Sequence, residues 1–186
     1  MQPRKAESQA GRAPWRGRPL LLVGHMGSGK SSIGRRLAAS LGLPFRDSDE
    51  EIEAAAQMPV REIFARFGEP HFRDGERRVV ARLIGEGPSV IATGGGAFMD
   101  EGTRALALER AIVVWLDADI DTLVARVSRR STRPLLAGRD PRTVLEDLAR
   151  TRNPAYAEAH LRIPCRNGPH EVTVRAIRQA LEGLAG

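Results

Sequence analysis

The 186 residues are 41% hydrophobic and 28% charged, a length and balance that suit one compact domain and exclude wholesale disorder. No apolar run approaches the ~20 residues needed to span a bilayer, and the single cysteine, Cys165, excludes an intrachain disulfide framework or a Cys-rich zinc site. The net charge of +6 is concentrated at one end, where Arg4, Lys5, Arg12, Arg16 and Arg18 face only Glu7 in residues 1–18.

That opening stretch reads as a flexible basic tail over residues 1–18, ahead of a single domain over 19–186. Weak contact with nucleic acid is the alternative reading of the tail. It contains no apolar segment of the kind that secretory leaders carry, so a cytoplasmic protein is expected. His25, His71, His160 and His170 show no paired metal-ligand spacing.

Leu20–Val23 is a short, continuous apolar run, the pattern of a strand buried on both faces of a parallel sheet. A helical period follows over 30–41 and stops at Gly42. A weak second strand is expected at 44–47, then a largely helical insertion over 48–85, a natural place for a substrate pocket. Further strands are expected at 89–92, 111–116 and 161–165. Helical patterns lie near 60–67, 72–84, 119–130, 141–150 and 170–184. Residues 128–140 are Arg-rich, contain Pro134 and Gly138, and read as a mobile lid. Strands alternating with helices make this an α/β fold.

Residues 24–31, GHMGSGKS, satisfy G-x-x-x-x-G-K-[ST] between the first strand and the first helix. Glycines there let backbone N–H groups converge on phosphate oxygens, and the helix amino end adds partial positive charge. Of the 29 basic side chains, only Lys5 and Lys30 are lysine, so Lys30 is the sole lysine outside the tail. It can bridge the β- and γ-phosphates while Ser31 ligates Mg²⁺. The loop identifies a nucleotide site but not the phosphoryl acceptor.

Three constellations bear on the acceptor. Asp47 and Asp49 alternate at a strand end, where one can approach Mg²⁺ through water and the other can orient a hydroxyl; helix capping is the alternative. Thr93–Ala97 places three glycines after a strand, allowing backbone approach to a ligand. Arg133, in the lid, can reach nucleotide phosphates and stabilise charge during transfer.

Together GHMGSGKSS (24–32), DSD (47–49), FRDGE (72–76), TGGGA (93–97), TRPLL (132–136) and RNPAY (152–156) closely resemble the shikimate kinase family, a branch of the P-loop kinases. The resemblance runs from about Leu20 to the chain end. It implies a three-layer fold with five parallel strands in order 2-3-1-4-5. It further implies transfer of the ATP γ-phosphoryl group to the 3-hydroxyl of shikimate, within aromatic amino-acid biosynthesis. In that reading Gly27, Ser28, Gly29, Lys30, Ser31, Ser32 and Arg133 hold ATP. Ser31, with Asp47 through water, holds one Mg²⁺ ion. Asp49, Arg73, Gly95 and Arg152 hold shikimate, with Glu76 orienting Arg73, and Lys30, Asp49 and Arg133 are catalytic. The adenine-facing segment is expected at 165–171, with Arg166 as a neighbour. A monomer acting on ATP and shikimate is expected, without a stable nucleic-acid or membrane partner. Another small-molecule kinase, such as a gluconate kinase, is the nearest rival; a nucleotide-dependent module that binds nucleic acid is a more distant one.

Overall fold

A computed structural model of the chain describes residues 15–129 and 138–184. Strands β1 (Leu20–Val23), β2 (Phe45–Asp47), β3 (Val90–Ala92), β4 (Ile112–Ala118) and β5 (Leu161–Cys165) form one parallel sheet in the order β2-β3-β1-β4-β5. This is the order that the family resemblance implies. β1 is central: Leu21 pairs with Ile91 on one side and Val113 on the other.

Side chains of β1 alternate between two cores. Leu20 and Leu22 join Ile33, Leu37, Val114, Leu123 and Ile177, whereas Leu21 and Val23 join Val80, Leu83, Phe98 and Val113. A strand covered on both faces has no polar positions, which is why its sequence is a continuous apolar run. The first core lies under α1 (Lys30–Leu41), α5 (Ile120–Ser128) and α7 (His170–Gly183); the second lies under α3 (Val60–Gly85) and α4 (Glu101–Arg110). Two further helices complete the helical layers: α2 (Ser48–Ala56) follows β2, and α6 (Pro141–Tyr156) precedes β5. α6 serves both cores, placing Leu145 in the first and Tyr156 in the second.

The helical patterns at 60–67 and 72–84 hold as the two helical stretches of α3, broken where Gly68 leaves helical geometry with φ 79° and ψ 172° and Pro70 follows, while other boundaries move. α6 runs to Tyr156 rather than ending near 150, although Pro154 lies within it. Proline removes one helical donor, but the fully buried Tyr156 ties the last turn to the core, so packing overrides the local penalty. The tail boundary also moves. Trp15 is 8% exposed and packs in the first core, and the Arg18 guanidinium donates to the carbonyls of Leu108, Glu109 and Ala111. The packed domain therefore includes residues 15–18. Arg133 and most of the expected lid lie outside the described residues.

Candidate active site

The site forms at the carboxyl ends of β1, β2 and β3. Gly24 leaves β1 with φ 143°, and a Cβ there would sit 2.7 Å from the Leu116 carbonyl oxygen. Only glycine tolerates both the dihedral and the approach, so the loop can turn against β4. Ser28 is fully buried beneath the loop. Lys30 Nζ donates to the Gly24 and His25 carbonyls at 2.8 and 3.0 Å, so its ammonium lies across the loop. Arg126 on α5 fastens the same loop from outside, donating to the Gly27, Ser28 and Arg166 carbonyls.

Asp47 is where β2 ends and α2 begins. Its Oδ1 accepts the Asp49 N–H as the helix N-cap, while Oδ2 accepts the Ser31 hydroxyl at 2.6 Å. Capping of α2 and the contact with Ser31 therefore coincide in Asp47. The strand-alternation argument for the two aspartates fails, because β2 stops at Asp47 and Asp49 lies in the first turn of α2. The helical turn still directs Asp49 into the site. Burial foremost, then the neighbouring Asp47 charge, pushes the Asp49 carboxyl above the usual aspartate range against the opposing pull of Lys30.

Three consecutive glycines after β3 each seat a different side chain. A Cβ on Gly94 would lie 2.9 Å from Glu76 Oε1 and 3.1 Å from Asp49 Oδ1. One on Gly95 would lie 3.1 Å from an Arg152 guanidinium nitrogen, and one on Gly96 would lie 2.6 Å from Arg73. A Cβ at Gly94 or Gly96 would push Glu76 or Arg73 aside, and one at Gly95 would crowd Arg152, so the glycine run leaves room for two cations and two carboxylates at one turn. Arg73 donates to Glu76 Oε2 at 2.7 Å and to Glu69 Oε1 at 3.1 Å, which fixes its fork from one side. Glu76 is 3% exposed, and burial raises its pKa more than Arg73 lowers it.

A cleft of about 460 Å³ is lined by Gly27, Gly29, Lys30, Ser31, Ser32, Asp47, Asp49 and Gly95, with Arg126, Asn167, Gly168 and His170 at its far edge. Arg73 and Arg152 border it across Gly95 and Gly96. Of the expected residues within the described chain, Gly27, Gly29, Lys30, Ser31, Ser32, Asp47, Asp49 and Gly95 line this cleft, whereas Ser28 is buried and Arg73 and Arg152 lie beside it against Gly96 and Gly95. The far edge includes part of the expected 165–171 segment, but Arg166 itself contributes a carbonyl to Arg126 rather than a lining side chain.

The sequence pattern of the family described as "Shikimate kinase" matches residues 26–182. The shikimate kinase of Caulobacter vibrioides is 59% identical over 169 residues, covering 91% of this chain and 84% of that protein. That of Novosphingobium aromaticivorans is 56% identical over 170 residues, covering 89% and 88% respectively. The chain belongs to the shikimate kinase family. Among solved structures, shikimate kinase from Acinetobacter baumannii in complex with shikimate superposes with a TM-score of 0.85 at 36% identity, covering 89% of this chain and 93% of that one.

The reaction is transfer of the γ-phosphoryl group of ATP to the 3-hydroxyl of shikimate, yielding ADP and shikimate 3-phosphate in aromatic amino-acid biosynthesis. The geometry also brings forward residues that the sequence reading passed over. Arg126 has no compositional signal among so many arginines. His25 occupies a variable position of the loop motif, yet its Nε2 lies 2.7 Å from Asn153 Oδ1. Tyr156 belongs to the RNPAY string, and its hydroxyl donates to the Gly95 carbonyl at 2.5 Å.

Proposed function

We propose that the phosphate loop and the three-glycine turn divide the reaction between them. The N–H groups of Gly27 to Ser32 bind the ATP phosphates, and Lys30 moves from the loop carbonyls onto the β- and γ-phosphates. Arg73 and Arg152 hold the shikimate carboxylate in two charge-assisted contacts, with Gly95 contributing backbone contact. Asp49 orients the 3-hydroxyl and accepts its proton as the oxygen–phosphorus bond forms and the γ-phosphoryl leaves ADP. Its raised pKa makes its carboxylate a stronger base than an ordinary aspartate. Arg133 keeps the role that the family resemblance implies, closing over the transferring phosphoryl group. The observation that carries this reading is the seating of Asp49, Glu76, Arg152 and Arg73 on Gly94, Gly95 and Gly96.

The donor set beside Lys30 fits one Mg²⁺ ion. Ser31 and Asp47 offer a hydroxyl and a carboxylate already 2.6 Å apart, the hard oxygen chemistry that Mg²⁺ prefers. Ser31 would hold the ion directly and Asp47 through water. When bound, Mg²⁺ neutralises charge on the β- and γ-phosphates. In the same proposal the protein acts on ATP and shikimate as a monomer in the cytoplasm, without a stable nucleic-acid or membrane partner. None of the described helices is long and apolar enough to cross a membrane.

A coupled assay of ADP release tests the assignment. Turnover is expected to require shikimate and Mg²⁺ together, and Ser31→Ala is expected to raise the Mg²⁺ concentration for half-maximal rate. Equal turnover with gluconate, or an unchanged Mg²⁺ requirement in a folded Ser31→Ala variant, would contradict it.

A further inference from the structure

We propose that His25 is a positioning residue that sets Arg152 for the shikimate carboxylate by fastening α6 to the phosphate loop. The inference rests on the assignment of Arg152 to that carboxylate. His25 belongs to the loop that binds phosphate, yet its side chain turns inward and is only 4% exposed. Its Nε2 meets Asn153 Oδ1, and its ring stands edge-on to Tyr156 with centroids 5.1 Å apart. Nδ1 has no partner among the described residues. A proton there would be buried without an acceptor, which assigns the neutral tautomer with Nε2–H donating to Asn153. Burial, foremost, and the nearby Arg152 and Lys30 charges favour the same neutral form.

Arg152 needs such support. Arg73 is gripped by Glu76 and Glu69, whereas no carboxylate among the described residues forms an ion pair with Arg152. Its guanidinium lies beside the Tyr156 hydroxyl, so its placement comes from that neighbour and from the backbone that carries both residues. Two ties fix that backbone on the C-terminal side of Arg152: Asn153, on His25, and Tyr156, whose hydroxyl reaches the Gly95 carbonyl. Gly95 itself sits against the phosphate loop, its Cβ position 3.6 Å from the Gly24 carbonyl oxygen. Loosening α6 at Asn153 lets the guanidinium drift without removing any group that touches substrate, and small misplacements of positioning groups are costly.

The test compares steady-state constants for His25→Leu, Asn153→Leu and His25→Gln, each alone and combined with Arg152→Ala. Removing one buried hydrogen bond should raise the shikimate KM by about 3- to 10-fold while the ATP KM stays within about twofold. His25→Gln should recover most of the loss, because its side-chain amide carries an N–H to the reach of Nε2. In the Arg152→Ala background, His25→Leu should add less than about twofold, since residues that act through one another are not additive. An equal rise in both KM values, or the same fold loss in both backgrounds, overturns the proposal. Should His25→Leu fail to fold, Asn153→Leu at its half-buried position makes the same comparison. An Arg152→Ala variant with an unchanged shikimate KM would overturn the carboxylate assignment first, and the role of His25 with it.

Discussion

The two halves of the cleft are built in different ways. The phosphate half comes from one continuous stretch, residues 20–33, in which a buried strand delivers the loop and α1 delivers Lys30 and Ser31. The acceptor half draws Asp49 from α2, Arg73 and Glu76 from α3, three glycines from the end of β3 and Arg152 from α6. In the proposed reading, phosphate is held mostly by backbone N–H groups whose directions follow from local dihedrals, and shikimate by side chains whose directions depend on the packing of three helices against a turn. Substitutions should therefore separate the halves: losses in the acceptor half should fall on shikimate and on the chemical step, and leave ATP binding nearly intact.

The largest separation is expected at Asp49. Asp49→Asn keeps size and one hydrogen-bonding oxygen but removes the base, and general acid–base help is typically worth ~10²–10⁴-fold. The kcat should drop within that range while ATP affinity, read by equilibrium titration, changes little. Parallel loss of ATP affinity would show that the two halves are one electrostatic unit.

Next comes Arg152. Truncating one partner of a desolvated charge-assisted contact costs ~2–5 kcal/mol, so Arg152→Ala should raise the shikimate KM steeply with a small effect on ATP. A shikimate analogue without the carboxylate is the control, because it never makes the contact. Wild type and variant should differ far less on the analogue. Equal losses on both ligands would move Arg152 out of the carboxylate site and into the scaffold.

The same contrast explains what the sequence discloses. A site built from one contiguous segment leaves its signature in a string, so Lys30 and Ser31 are readable from spacing and flanking pattern alone. The α/β class is readable too, because strands buried on both faces leave unbroken apolar runs at Leu20–Val23 and Ile112–Leu116. Spacing alone does not bring Arg73 and Arg152 together, since that meeting depends on how α3 and α6 pack over Gly95 and Gly96. Only the resemblance to a family pairs them in the sequence. His25 and Tyr156 are hidden for the same reason: their partners lie 128 and 61 residues away. Trp15 and Arg18 are hidden by their company, a basic, proline- and glycine-containing stretch whose composition masks one buried ring and one anchored guanidinium.

A subtler effect ties function to stability at Asp49. Its carboxyl holds a proton more tightly in the fold than in the unfolded chain, chiefly because it is buried. Below the ordinary aspartate range both states are protonated and the group contributes nothing. As pH rises through the raised folded value, the buried carboxylate destabilises the protein, and that cost is fully present at neutral pH. Asp49→Asn should therefore melt at a higher temperature than wild type near pH 7, with the gap closing as pH falls below the usual aspartate range. A gap independent of pH would mean that shape or hydrogen bonding, and not charge, sets the difference.

The smallest effect is expected at the opposite edge of the sheet. Arg18 precedes β1 at its amino end, away from the carboxyl edge where the cleft lies, and its guanidinium donates to the Leu108 and Glu109 carbonyls at the end of α4 and to the Ala111 carbonyl just beyond it, the Glu109 contact being 2.6 Å. A cation on a helix C-terminus contributes about 0.3–1 kcal/mol when exposed to solvent, through both the helix dipole and its unpaired carbonyls. For a domain of this size that corresponds to a fall in Tm of roughly 1–4 °C for Arg18→Ala. The kinetic constants for ATP and shikimate should be unchanged, because no element of the cleft rests on α4 through this contact. Arg18→Lys should restore part of the Tm, since an ammonium keeps the charge and several donors where one guanidinium nitrogen, Nη2, makes all three contacts. A drop in kcat that accompanies the loss of Tm would show that strain at the amino edge of the sheet reaches its carboxyl edge, and the two ends would have to be treated as one coupled body.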